Sequence, residues 1–99
     1  MVKHRAIDKN TKIENKNHRK VTLCKRRRGF IKKAIELSRL CDQKIFFILF
    51  DPETDKLVQF SSDPDFNFKK VYETTKRIRN GPEADLKFEK YTNLDYRTF

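Results

Sequence analysis

Six cations fall within nine residues, at Lys25, Arg26, Arg27, Arg28, Lys32 and Lys33. Ammonium and guanidinium groups this close together neutralise a polyanion and release its counterions, which points first to nucleic acid. An anionic membrane surface is the second partner of that chemistry, and a solvated face that only aids solubility is the plain alternative. Other chemistries lack their residues. His4 and His18 have no cysteine at zinc-finger spacing, so no metal is expected. Gly29 and Gly81 are the only glycines, so no phosphate-cradling loop is present. No Ser/His/Asp or Cys/His set suggests itself. The reading is therefore not an enzyme, with no catalytic residues, no cofactor and no small-molecule substrate.

The cation run sits in a lopsided chain. Its 99 residues carry a formal charge of +10, are 38% charged and 12% aromatic, and include nine Phe. Residues 1–44 hold 15 Lys and Arg against 4 Asp and Glu; residues 45–99 hold 9 against 10. A net of +11 thus lies in the first half and −1 in the second. The aromatic content argues against a wholly disordered basic tail. Two cysteines cannot build a disulfide scaffold. No apolar run approaches the ~20 residues that span a membrane, and residues 1–17 lack the apolar stretch of a signal peptide. A reducing intracellular compartment is expected.

What must position the cations is a helix. Residues 1–17 are polar and aperiodic, and Asn10, Asn15 and Asn17 disfavour a helix there, so the segment reads as a basic arm. From about His18 to Cys41, Leu23, Phe30, Ala34, Leu37 and Cys41 recur as a heptad-like stripe with Arg27 in the missing slot. Lys25, Arg28, Lys32 and Arg39 share another face, with Arg26 and Lys33 beside them. One helix thus carries an apolar seam and a cationic rail.

Residues 45–50 are an unbroken apolar run, Ile-Phe-Phe-Ile-Leu-Phe. A strand buried on both faces fits, with a short buried helix as the alternative. Asp51–Asp55 is turn chemistry, and residues 56–60 read as a second strand closing an antiparallel hairpin. Residues 61–65, Ser-Ser-Asp-Pro-Asp, look like a helix start. Phe68, Val71, Tyr72, Thr75 and Ile78 then mark an amphipathic helix that stops at Asn80-Gly81-Pro82. The aromatic-rich remainder suggests a short helix near residues 83–91. The division is arm 1–17, core 18–62 and helical extension 63–99.

A lone two-stranded sheet is marginal in water. Two copies about a two-fold axis would pair their hairpins into four strands, basic helices below and second helices above. An α+β homodimer is expected, with Leu23, Phe30, Ala34, Leu37, Cys41, Phe46, Ile48 and Phe50 in its interface and core.

Residues 20–34, Lys-Val-Thr-Leu-Cys-Lys-Arg-Arg-Arg-Gly-Phe-Ile-Lys-Lys-Ala, and Glu36-Leu37-Ser38-x-Leu40-Cys41-Asp42 resemble the MADS box. The match covers roughly residues 5–62, and the extension loosely resembles myocyte-enhancer-factor and serum-response-factor-like types more than plant keratin-like ones. The resemblance implies the serum-response-factor-like fold and a nuclear, homodimeric transcription regulator on AT-rich pseudo-palindromic double-stranded DNA. It places Lys25 on a guanine-reaching lysine, which suits the adjacent N7 and O6 acceptors. It places Thr22, Arg26, Lys32 and Lys33 on backbone contacts, with Arg19 beside them. Arg5 retains the arginine of a minor-groove arm whose usual Gly and lysines are absent here. Gly29 fits a close approach, either to the partner helix or to DNA; a merely tolerated helix glycine costs about 1 kcal/mol. Phe66, Phe68 and Tyr72 are candidate anchors for a protein cofactor, with a core role over the sheet the stronger reading for Phe68 and Tyr72. The alternative function is a dimeric adaptor with nonspecific nucleic-acid binding inside a larger assembly.

Overall fold

The computed structural model describes residues 11–99. Helix α1 spans Lys16–Cys41, 26 residues without a proline. It starts two residues earlier than the periodicity predicts, because Asn15 is its N-cap: the side-chain oxygen accepts from the His18 amide at 2.8 Å. Asparagine is a poor interior residue but a strong cap, so the residue expected to oppose the helix begins it. At the other end Asp42 adopts the left-handed conformation (φ 53°) and its amide bonds back to the Ser38 carbonyl.

Strand β1, Phe46–Asp51, pairs antiparallel with β2, Lys56–Ser61, in the register Phe47 to Phe60 and Leu49 to Val58. The strand reading of the apolar run therefore holds, shifted by one residue. Asp51 shapes the turn through its carboxylate, which accepts from the Glu53 amide at 2.9 Å, and its carbonyl, which accepts from the Asp55 amide at 2.8 Å. Alternation divides the strands into two faces. Phe47, Leu49, Val58 and Phe60 are half-buried toward α1. Phe30 meets Phe47 with ring centroids 4.5 Å apart, and Phe47 stacks on Phe60 at 5.2 Å. The opposite face carries Ile48, Phe50 and Leu57, all exposed, so burial on both faces is not achieved within one chain.

Helix α2 spans Phe68–Arg79. Its predicted start at residues 61–65 is corrected: the side chains that were to cap it are engaged elsewhere. Ser61 Oγ donates to the carbonyls of Asp63 and Phe66, while the Asp63 carboxylate accepts from the Asp65 amide and from Lys44 Nζ. Asn67 caps α2 instead, accepting from the Lys70 amide. The stop at Asn80 falls as expected. Helix α3 is a single turn, Ala84–Lys87, and a 3-10 helix over Asn93–Thr98 opens on a reciprocal Thr92–Asp95 capping box.

The chain has little interior of its own. Ala34 is the one buried apolar residue among those described. The accessible surface is 9303 Å², whereas a compact monomer of this mass exposes about 6,000 Å². Long helix, antiparallel hairpin and second helix follow in the order of the serum-response-factor-like fold.

Candidate nucleic-acid interface

On α1, residues three and four apart are surface neighbours. Lys25, Arg26, Lys32 and Lys33 therefore gather around Gly29. All four are exposed, and their side chains have no ion pair or hydrogen bond among the described residues. Thr22, one turn before Lys25 and Arg26, is half-buried on the same side of the helix. Cations on one helical face with no ion pair among the described residues set up a field for a polyanion. Arg27, in the gap of the apolar stripe, behaves differently. It is half-buried and lines a cleft of about 530 Å³ between α1 and the hairpin, with Leu23, Leu49 and Val58.

Arg19 is not part of that free face. Its guanidinium donates to the Ile13 carbonyl at 2.8 Å, to the Glu14 carbonyl at 3.3 Å and to Glu53 Oε1 at 2.8 Å. It ties the start of α1 to the hairpin turn, and three acceptors within the chain leave little of its donor fork for phosphate. Glu53 gave no signal in the sequence: the pair is 34 residues apart, and nothing local distinguishes one turn carboxylate from another. Arg5 lies outside the described residues.

The expected interface residues do not form a closed core in one chain. Leu23, Phe30, Leu37, Cys41, Ile48 and Phe50 are all exposed, Phe46 is half-buried and only Ala34 is buried. Phe46, Ile48 and Phe50 share the uncovered sheet face. In the single chain, Phe68 and Tyr72 on α2 are exposed, and Phe66, two residues before the helix, is half-buried. The Lys76 ammonium lies over the Tyr72 ring at 5.4 Å. Cys24 and Cys41 are free thiols, both exposed. Among the described residues no helix is long and apolar enough to cross a membrane, and no cluster of His, Cys, Asp and Glu could hold a metal ion.

Two ion pairs brace the hairpin, one at each end. Arg19–Glu53 closes the turn end, and Lys44 Nζ donates to Asp63 Oδ2 at 2.9 Å at the open end. Lys44 and the Asp65 amide, in that order, hold the Asp63 carboxyl below its ordinary value, and Asp63 in turn raises Lys44. The Asp51 carboxyl is lowered chiefly by the Glu53 amide that donates to it.

A cationic helix backed by a hairpin with one uncovered apolar face defines a polyanion-binding module built to associate. Residues 12–60 match the SRF-type transcription factor family, its DNA-binding and dimerisation domain. The chain belongs to this MADS-box family. It is 37% identical over 95 residues to MADS-box transcription factor 1 of rice, covering 87% of this chain and 35% of the relative. Identity is 46% over 69 residues to Agamous-like MADS-box protein AGL14 of Arabidopsis thaliana, covering 70% and 30%. MADS-box protein CMB2 of Dianthus caryophyllus is 45% identical over 67 residues, covering 68% and 30%. The chain thus spans about a third of the length of these curated relatives. They are plant proteins, and lend no support to the leaning toward myocyte-enhancer-factor or serum-response-factor-like types.

Proposed function

We propose that this chain is a sequence-specific, double-stranded DNA-binding transcription regulator that acts in the nucleus as a homodimer on AT-rich pseudo-palindromic sites. The observation that carries the reading is the cationic face of α1, without ion pairs among the described residues, within a domain of the SRF-type family. Lys25 reads guanine at the flanks of the site, where a cation meets two adjacent acceptors. Arg26, Lys32 and Lys33, with Thr22, hold the phosphate backbone and set the register without reading sequence. Arg5 contributes from the arm through the narrow minor groove of an AT-rich core.

The second copy answers the missing interior. Its hairpin extends the sheet, and the paired α2 helices cover Ile48, Phe50 and Leu57 while the seam from Leu23 to Cys41 meets its twin. Doubling the rail places two sets of cations on one face, related by the symmetry of a palindrome. Phe66, Phe68 and Tyr72 on the outer layer then offer a site for a protein cofactor.

Random-site selection with the purified chain tests the proposal. Enrichment of an AT-rich palindrome flanked by C·G pairs is expected. Recovery of no common sequence, with binding that falls steeply with salt on every duplex, would replace it with the adaptor reading.

A further inference from the structure

Gly29 occupies the centre of the cationic face, and nothing among the described residues explains a glycine there. Its backbone is ordinary helix, with no positive φ that only glycine would accept. A Cβ built on it meets no atom within 4 Å. Glycine is the poorest helix former after proline, so an interior glycine weakens α1 for no intramolecular return. It is also set away from the apolar stripe: Ala34, the buried residue of α1, lies five positions on and faces nearly the opposite way. The four surface neighbours of Gly29, at three and four residues before and after, are all cations whose side chains have no ion pair or hydrogen bond among the described residues. The result is a notch in the helix surface, floored by bare backbone and framed by four long basic side chains.

We infer that Gly29 is the seat on which the α1 backbone rests against the sugar–phosphate edge of a duplex. The inference rests on the DNA-binding reading and deepens it. Without a Cβ the helix axis can descend toward the nucleic acid, and the four stems splay around the contact to reach phosphates on either side of it. A side chain at this position would lift the helix and pull all four cations from their partners together. Gly29 acts by setting the distance of the others, so it is a positioning residue rather than a reader of sequence.

The test uses the full chain, a labelled duplex with an AT-rich core flanked by C·G pairs, and the variants Gly29→Ala and Gly29→Leu. Both replacements are good helix formers, so thermal midpoints should rise by a few degrees. Duplex affinity should fall about tenfold for Ala, a cost typical of overpacking, and further for Leu. The dependence of log affinity on log salt should become shallower, because the four cations are drawn away from the phosphates whose counterions they release. Dimer mass by sedimentation should be unchanged. Equal affinity in wild type and Gly29→Ala would overturn the inference. So would a loss of dimer in either variant, which would place Gly29 against the partner helix. Failure of the wild-type chain to bind the duplex would overturn the underlying reading and this inference with it.

Discussion

Lys25 and Lys32 are separated by two helical turns, share charge and exposure, and have no side-chain partner among the described residues, yet the proposed reading gives them different work. Lys25→Ala should relax preference at the C·G flanks while binding of the AT core persists. Lys32→Ala should weaken all duplexes alike and reduce the salt slope by about one. A competition assay over a panel of flanking sequences separates these outcomes; identical profiles would refute the assignment. Arg19 poses a residue-scale question of another kind. Held by Ile13, Glu14 and Glu53, it serves the fold. Arg19→Gln and Glu53→Gln should each lower stability, and a double-mutant cycle should show coupling of about 0.2–1 kcal/mol, as for exposed pairs. Loss of DNA affinity in Arg19→Gln without loss of stability would instead return Arg19 to the nucleic-acid face.

At the scale of elements, the hairpin depends on its two ends. Asp51 and Asp63 carry carboxyls lowered from 3.8 by donors that exist only in the folded turn and linker. A depressed carboxyl stabilises the fold above its unfolded value and loses that contribution as pH falls through the folded one. Stability should therefore decline below about pH 4, and Asp51→Asn should flatten part of that decline in a pH series of thermal melts. Lys44 is raised from 10.5, so its contribution persists below that value and fades as pH climbs beyond it. The elements were largely legible in the sequence because their signals are periodic. The stripe Leu23–Phe30–Ala34 marks α1, and the unbroken run from Ile45 to Phe50 bounded by Asp51-Pro52 marks β1. The ends were less legible, because capping side chains face a choice that spacing does not reveal. Asn15 caps a helix it was expected to discourage. Asp63, which has the composition of a cap, is drawn to Lys44 across the hairpin. Arg19–Glu53 was invisible for the same reason: a contact between distant residues leaves no local pattern.

For the whole molecule, the decisive feature is the interior that one chain lacks. Phe50 and Leu57 are more than half exposed, as are Phe68 and Tyr72 on α2, although the spacing of all four suits burial. Sequence periodicity identified these apolar faces, and the marginal stability of a lone hairpin is what leads to the expectation of a second copy. Ile48→Asp, on the sheet face opposite the Phe30–Phe47 contact, should prevent association, because a carboxylate there would be buried without a partner. Circular dichroism across a concentration series would follow this: helicity that depends on concentration in wild type should become low and concentration-independent in the variant. The central claim is that two chains present their α1 cations to one duplex. Sedimentation of the chain with a duplex recovered by selection tests it most directly. The account predicts two chains per duplex and no folded monomer at micromolar concentration without DNA; a stable folded monomer, or one chain per duplex at saturation, would contradict it.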